Sequence, residues 1–317
     1  MTKQIKLANP RGFCAGVDRA IDIVNKALEI YGAPVYVKHE VVHNKVVVED
    51  LRARGAIFIE EIGEIPDDSL VIFSAHGVSS EVEESTKARN LNFFDATCPL
   101  VTKVHMEVKK HAKANKDIIL IGHEGHPEVE GTMGRHINAE NSSIYLVQDE
   151  VDATNIQVKN SKSLALVTQT TLSVDETMSI IEILKKRFPK IEIPKKDDIC
   201  YATQNRQEAV KKILEFCDSL IVVGSQNSSN SQRLREIGVQ YGIKSYLIDD
   251  INQININDLS GDKIIGITAG ASAPEDTVAS LVKFLLSKGA RMSDKNLSFK
   301  SENITFSVPR ELRTPNS

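Results

Sequence analysis

Three of the four cysteines in this chain stand at the head of one recurring sequence pattern. After each of Cys14, Cys98 and Cys200 the chain has an amphipathic segment, a short apolar run and polar loops. The pattern occurs once in each third of the chain and predicts a threefold internal repeat with one thiol per copy. Such a repeat can bring three sulfur atoms to one axis, where they would form a metal site that lacks a fourth protein ligand.

Two kinds of metal site suit three such thiols. Structural zinc sites usually contain short paired spacings such as C-x2-C, which this chain lacks. A cubane iron–sulfur cluster is normally held by four cysteines, so three cysteines would leave one iron open to a substrate oxygen. That iron would act as a Lewis acid and an electron donor, and the reaction would need a nearby acid. Glu128, in the polar segment GHPEVEG, is the candidate for this acid.

The spacing of apolar residues after each cysteine predicts a helix. In the first copy Val17, Ala20, Ile21 and Val24 follow the spacing i, i+3, i+4, i+7. Each cysteine therefore sits at a predicted helix start, where a thiolate is expected to be stabilised. Short apolar runs follow the helices at VYV (35–37), IILI (118–121) and LIVV (220–223), and further strands are predicted at FIE (58–60), VIFS (71–74), YLV (145–147), LALV (164–167), YLI (246–248) and IIGI (264–267).

Strands that alternate with helices over short connections predict a small parallel sheet in each third of an α/β protein. The predicted domains are 1–97, which includes an N-terminal strand, then 98–197 and 198–285. The tail 286–317 is expected to pack back on the body, and NITFSV (303–308) is predicted to be a late strand.

Two polar loops per copy leave the carboxyl ends of predicted strands, where ligands bind in open α/β sheets. Loop A, after the first strand of each copy, carries His43, His126 and Ser228; loop B, after the last strand, carries His76, Thr170 and Ser272. Histidines, hydroxyls and amides dominate these loops, and helix starts follow them, so they favour an anion such as a phosphate. Alternatively, the Ser, Thr and Asn residues only cap the helices.

The composition is that of an ordinary globular protein, with a formal net charge of −4, 41% hydrophobic and 26% charged residues. No basic cluster suggests nucleic acid or an anionic membrane surface, and no apolar run approaches the ~18 residues of a membrane helix. Without a recognisable targeting segment, we expect a cytoplasmic protein in a reducing compartment. In such a compartment we do not expect the four cysteines to form a disulfide framework. Cys217 lies on the apolar face of its predicted helix and is expected to be a buried core thiol.

Nine segments carry a resemblance to a known family. They are NPRGFCAGVDRAI (9–21), HEVVHN (39–44), FSAHGVS (73–79), DATCPLVTKVH (95–105), GHPEVEGTMG (125–134), TQTTLSVDET (168–177), DDICYATQNRQ (197–207), GSQNSSNSQRL (224–234) and TAGASAPE (268–275). In this order they resemble the 4-hydroxy-3-methylbut-2-enyl diphosphate reductases of the non-mevalonate isoprenoid pathway. The resemblance extends from residue 5 to about residue 312.

The resemblance implies a pseudo-threefold trefoil of α/β domains around a central [4Fe–4S] cluster. It implies reductive removal of an allylic hydroxyl, which gives isopentenyl and dimethylallyl diphosphate, with electrons from a reduced ferredoxin or flavodoxin. Cys14, Cys98 and Cys200 would ligate three irons, and Glu128 would deliver a proton, with Thr170 and His126 in the hydrogen-bond network. The diphosphate would be held by His43, His76, His126, Ser228, Ser229, Asn230 and Ser272.

Three other functions predict different behaviour. A hydro-lyase that uses the cluster only as a Lewis acid would turn over without a reductant. A metal or redox sensor would need neither an enclosed polar cleft nor Glu128. A protein that only binds a phosphorylated metabolite would leave the three cysteines at helix starts unexplained.

Overall fold

The computed structural model describes residues 3–137, 140–293 and 301–313, which form two compact units. The first unit contains residues 3–18, 43–50, 201–293 and 301–305, and the second contains residues 19–42, 51–137, 140–200 and 306–313. None of the helices in these ranges is both long and apolar enough to cross a lipid bilayer.

Strands and helices alternate throughout the described chain. The first third contains β1 (Gln4–Leu7), α1 (Ala15–Tyr31), β2 (Val35–Lys38), α2 (Lys45–Ala53), β3 (Ala56–Ile59), β4 (Leu70–Phe73), α3 (Ser80–Ala88) and β5 (Asn92–Asp95). The second contains α4 (Pro99–Lys113), β6 (Asp117–Ile121), α5 (Pro127–Met133), β7 (Ile144–Val147), α6 (Glu150–Asn155), β8 (Leu164–Thr168) and α7 (Val174–Arg187).

The last third contains α8 (Tyr201–Leu214), β9 (Ser219–Val223), α9 (Ser229–Gln240), β10 (Lys244–Ile248), β11 (Ile264–Ala269), α10 (Glu275–Ser287) and β12 (Arg291–Met292). Short 3-10 helices lie at Ile62–Glu64, Ile251–Gln253, Ile256–Leu259 and Arg310–Leu312. The helices predicted after Cys14, Cys98 and Cys200 are confirmed, because α1, α4 and α8 each begin at the next residue. The strands predicted in the three copies are confirmed as well.

Three parallel sheets share the same central order of strands. In the second unit the orders are β3-β2-β4-β5 and β7-β6-β8, and in the first unit the order is β10-β9-β11-β1-β12. In each sheet the strand that follows a cysteine-headed helix lies in the middle of its repeat, and every recorded pairing is parallel. The prediction of three parallel-sheet α/β domains is therefore confirmed.

The segment before each cysteine extends the sheet of the preceding copy. Strand β5, before Cys98, pairs with β4, and Glu192, before Cys200, forms a parallel bridge with Ala165 of β8. Strand β1, before Cys14, likewise pairs with β11 of the third copy. The N-terminal strand assigned above to the first domain thus belongs to the third sheet, since an apolar pattern does not specify its partner edge. The exact domain boundaries stay predictions.

The late strand predicted at 303–308 is wrong, because residues 301–309 contain no strand. An alternating apolar pattern forms a strand only where it packs against a sheet. In this segment Ile304 is 42% exposed and does not pack in that way.

The middle strands are buried on both faces, as their continuous apolar sequences predict. In β9, Leu220 and Val222 pack with the apolar residues of α8 and α9, whereas Ile221 and Val223 pack with those of α10. Cys217 lies three residues after the end of α8, so its predicted place on a helix face is wrong. It still packs with apolar residues of α8 and is 6% exposed, and burial raises the pKa of its thiol to about 11. Its prediction as a core thiol is confirmed.

Gly238 lies where α9 packs against the third sheet. A Cβ at this position would overlap the Ser245 side chain and lie 3.1 Å from Leu220 Cδ2. We therefore expect Gly238→Ala to lower the free energy of unfolding by about 1–3 kcal/mol, because overpacking forces its neighbours to move. Urea denaturation measures the loss, which Ser245→Ala should partly restore.

Gly63→Ala is the matched control, since a Cβ there has no neighbour within 4 Å. Equal effects of the two alanine substitutions would show that the close approach at Gly238 does not limit packing.

Candidate active site

The three cysteines that head the repeats occupy equivalent positions. Each is partly exposed, and its backbone N–H donates a hydrogen bond to a loop B carbonyl. The bonds run from Cys98 to Ala75 (3.0 Å), from Cys200 to Thr170 (3.1 Å) and from Cys14 to Ala271 (3.2 Å). Loop B of the preceding copy thus holds each cysteine at the start of its helix.

The thiol of Cys14 departs from the expectation of a stabilised thiolate. Burial raises its pKa and outweighs the N–H groups of Val17 and Gly16 and the charge of Arg206, which lower it. A thiol that stays protonated is a poor nucleophile, whereas a bound metal ion would deprotonate it. Cys14 is therefore better suited to ligate a metal than to react as a free nucleophile.

Glu128 and Thr170 form a buried pair in the second unit. The Thr170 N–H donates to Glu128 Oε1 (2.6 Å), and the Thr170 hydroxyl donates to Oε2 (2.9 Å). Glu128 lies in the first turn of α5, because the helix begins at Pro127. Since the Thr170 carbonyl also accepts the Cys200 N–H, one residue connects the carboxyl group with a cysteine.

Glu128 is poised to exchange a proton near neutral pH. Its side chain is 3% exposed, and this burial raises its pKa from 4.5 to about 7, against the two hydrogen bonds from Thr170. The negative charge of Asp198 acts in the same direction as burial. A carboxylic acid with such a pKa can donate a proton at physiological pH.

Two predicted histidines lie next to this pair. His126 is the N-cap of α5, and its Nδ1 accepts the N–H of Glu128 (3.1 Å), so a neutral ring carries its proton on Nε2. The His76 ring packs edge-on against it, with a centroid distance of 5.8 Å. Gly131 allows α5 to approach the backbone beside His76, because a Cβ there would lie 3.1 Å from the Gly77 carbonyl oxygen.

Polar residues of the first unit gather at the start of α9. Ser228 caps this helix by accepting the Ser231 N–H (3.3 Å), and Ser229 is 9% exposed. Asn230 accepts the N–H of Ala271 (2.9 Å), whose carbonyl holds Cys14.

His43 is tied to both polar loops of the third copy. The Ser272 hydroxyl donates to the His43 carbonyl (2.9 Å), and Asn227 Nδ2 lies 3.4 Å from His43 Nδ1.

Helix capping alone does not account for the polar residues of these loops. Ser228 is a cap, but the caps of α7 and α10 are Ser173 and Pro274, not Thr170 or Ser272.

Within the second unit the structure connects His76, His126, Glu128, Thr170 and Cys200. Within the first unit it connects His43 with Ser272, and Asn230 with the segment that holds Cys14. Among the residues that the structure describes, no three His, Cys, Asp or Glu side chains are arranged to hold a single metal ion.

Among the buried residues that sequence reasoning missed, Gln169 and Asp198 shape the loops of the second copy. Gln169 accepts the His123 N–H (3.1 Å) and donates to the Thr171 hydroxyl (3.0 Å), which joins loops A and B of the second copy. Asp198 lies two residues before Cys200 and is 5% exposed, and its carboxylate accepts the Thr168 N–H (3.0 Å). Their positions within the segments TQTTLS and DDIC were the available signal.

Comparison with known proteins places these features in a family. The family model described as LytB protein matches residues 5–286. The chain is 60% identical over 309 residues to the 4-hydroxy-3-methylbut-2-enyl diphosphate reductase of Ectopseudomonas mendocina (strain ymp) and 59% identical over 310 residues to that of Marinobacter nauticus (strain ATCC 700491 / DSM 11845 / VT8). Each alignment covers 98% of both chains.

Solved structures agree with the sequence comparison. The fold is similar to that of the E-1-hydroxy-2-methyl-but-2-enyl-4-diphosphate reductase from Plasmodium falciparum, with a TM-score of 0.92 and 38% identity over 98% of this chain and 97% of that one. A second structure, of an (E)-4-hydroxy-3-methyl-but-2-enyl diphosphate reductase, matches with a TM-score of 0.64 and 30% identity over 91% of this chain and all of that one.

The raised pKa of Glu128 predicts a pH-dependent cost to stability. Between about pH 4.5 and 7 the folded chain keeps a proton that the unfolded chain has lost, so stability falls as pH rises through this window. Glu128→Gln lacks this titration. Its free energy of unfolding should therefore rise relative to that of the unmodified protein from pH 5 to pH 8, by up to roughly 3 kcal/mol.

Urea denaturation at both pH values measures this difference. The control is Glu130→Gln, which changes an exposed carboxylate of the same helix and should follow the unmodified protein at each pH. A difference for Glu128→Gln that does not change with pH would contradict the raised pKa.

Proposed function

Because the chain belongs to the LytB protein family, we propose that Cys14, Cys98 and Cys200 each ligate one iron of a [4Fe–4S] cluster. LytB proteins are iron–sulfur enzymes. The chain is a reductase of the non-mevalonate pathway, which removes the hydroxyl of (E)-4-hydroxy-3-methylbut-2-enyl diphosphate to give isopentenyl and dimethylallyl diphosphate.

One observation carries the ligand assignment. Cys14, Cys98 and Cys200 share a partly exposed position before a helix and the same hydrogen bond to loop B, whereas Cys217 is buried among apolar side chains. Soft thiolate donors are those that iron–sulfur clusters require. The three equivalent thiols therefore fit the group, and the fourth does not.

When bound, the cluster supplies electrons and an open iron that polarises the substrate hydroxyl. Replacement of this hydroxyl by hydrogen releases water and consumes two electrons and two protons, one for the leaving oxygen and one for the allylic carbon. We assign the proton on the leaving oxygen to Glu128, whose pKa of about 7 leaves it partly protonated at neutral pH. The Thr170 hydroxyl, 2.9 Å from Glu128 Oε2, orients the carboxyl group, and His126 extends this hydrogen-bond network.

The diphosphate is assigned to the polar loops. Candidate ligands from the first unit are His43, Ser228, Ser229, Asn230 and Ser272, and those from the second are His76 and His126. Ser228 and Ser229 lie at the start of the 12-residue helix α9, where N–H groups and the helix dipole favour an anion. The Nε2–H of neutral His126 is a further donor.

We also propose a reduced ferredoxin or flavodoxin as the electron donor, because the reaction needs external electrons. A reducing, cytoplasmic location is proposed as well, because the ligand assignment needs Cys14, Cys98 and Cys200 as thiolates rather than as disulfide partners. An anaerobic assay with reduced donor and the hydroxylated diphosphate tests the function. Both products should form, and turnover without a reductant would instead favour a hydro-lyase.

Serine substitution of the cysteines tests the ligand assignment. We expect Cys14→Ser, Cys98→Ser and Cys200→Ser each to abolish the visible absorption of the cluster, because each removes one iron ligand. Cys217→Ser is the control and should retain the absorption, since Cys217 lies in the core. Iron and sulfide counts measure the loss of the cluster. An equal loss in all four variants would refute the assignment of three cysteines as ligands and of Cys217 as a core thiol.

Replacement of the Glu128 carboxyl group tests its assignment as the proton donor. Glu128→Gln should keep the cluster and the substrate affinity but slow turnover by about 10²-fold or more, the usual contribution of a positioned acid. In the unmodified enzyme kcat should fall as the pH rises through about 7, and this fall should be absent in the variant. Glu130→Gln is the control, and normal turnover of Glu128→Gln would mean that the proton comes from elsewhere.

A further inference from the structure

One basic residue of each repeat holds the peptide segment before the cysteine of another repeat. Arg19, five residues after Cys14, donates from Nη1 to the Thr97 carbonyl (3.0 Å) and from Nη2 to the Asp95 carbonyl (3.2 Å). These carbonyls lie one and three residues before Cys98. Arg19 thus fixes the segment that leads into the second cysteine.

Lys103 has the same role in the next copy. It lies five residues after Cys98, and its Nζ donates to the carbonyls of Lys196 (3.0 Å) and Asp197 (3.3 Å). It also donates to the buried carboxylate of Asp198 (2.9 Å), two residues before Cys200.

Arg206 completes the series. It lies six residues after Cys200, and its Nε and Nη2 donate to the Gly12 carbonyl (3.1 and 2.7 Å), while Nη2 also reaches the Phe13 carbonyl (3.2 Å). Gly12 has a φ of 70°, a backbone conformation that suits glycine. In repeat order the three contacts run from copy one to two, two to three and three to one.

We propose that Arg19, Lys103 and Arg206 are positioning residues that fix the three iron ligands before the cluster binds. This inference rests on the ligand assignment of the proposed function. Each cysteine is then held from two directions, by its own N–H bond to loop B and by a cation on the carbonyls before it. A site held in this way loses less conformational freedom when the metal group binds.

The burial of Arg206 distinguishes this arrangement from ordinary surface pairing. Its side chain is 0% exposed, and a buried cation is costly unless it is paired and hydrogen-bonded. Nη1 donates to Glu302 (3.1 Å to Oε1), which also accepts from Asn205 Nδ2 (2.8 Å). Nη1 also donates to the Ala202 carbonyl (3.0 Å), and the Nε and Nη2 donors are directed at the two residues before Cys14, so the charge lies beside a proposed ligand.

Arg19 tests the proposal with less risk to folding than Arg206, because Arg19 is only partly buried and Arg206 is fully buried. In the reconstituted holoenzyme, Arg19→Gln should lose iron to a chelator roughly 10- to 100-fold faster than the unmodified protein, the usual effect of removing an outer partner of a metal ligand. Arg19→Lys should lie between them, because it keeps the charge but fewer donors. Loss of the cation should also lower the reduction potential of the cluster, since the reduced state is the more negative.

Lys26→Gln is the matched control, because it removes a cation from the same helix and should leave iron release unchanged. The thermal midpoint of each apoprotein separates positioning from folding. The proposal is overturned if Cys98→Ser releases iron rapidly but Arg19→Gln releases it at the normal rate with a normal potential. If Cys98→Ser retains iron like the unmodified protein, the ligand assignment fails, and the positioning role fails with it.

Discussion

A backbone hydrogen bond from each repeat cysteine to a loop B carbonyl is the interaction on which the rest of the site depends. Parallel strands make this bond possible, because they deliver loop B of one copy and the cysteine segment of the next to the same edge of a sheet. The segment before each cysteine even joins the sheet of the preceding copy. Fold and site therefore share one repeating unit.

The second copy departs from this threefold pattern where the proposed chemistry needs it. The loop B residue that accepts the cysteine N–H is an alanine in two copies and Thr170 in the second. Its hydroxyl and N–H both bind Glu128, whose burial would be costly without them. These two hydrogen bonds favour the carboxylate form of Glu128, but desolvation opposes it more strongly. The pKa of Glu128 is therefore near 7. A structural anchor thus also sets the protonation of the proposed acid.

The amino-acid sequence predicted the repeat, the helices after the cysteines and nearly all of the middle strands, because these depend on local apolar periodicity. It assigned β1 to the first domain, although β1 pairs with β11 of the third sheet, and it predicted a strand at 303–308, because pairing depends on which edge is available. It predicted a stabilised thiolate at Cys14 from the helix start alone, whereas burial decides the direction of the pKa shift. Gln169, Asp198 and Arg206 were missed, because their roles lie in contacts with distant parts of the chain.

Arg19, Lys103 and Arg206 hold the peptide segment before each cysteine, in addition to the hydrogen bond to loop B. A ligand set held before metal binding would allow three cysteines to retain a cluster that four normally hold, and so leave one iron for substrate. Mössbauer spectroscopy of the anaerobic enzyme, loaded with isotopically enriched iron, tests this directly. Addition of the hydroxylated diphosphate should change the signal of one iron, about a quarter of the total, and leave the other three as they were. A spectrum that does not respond to substrate, or in which every iron responds alike, would contradict it.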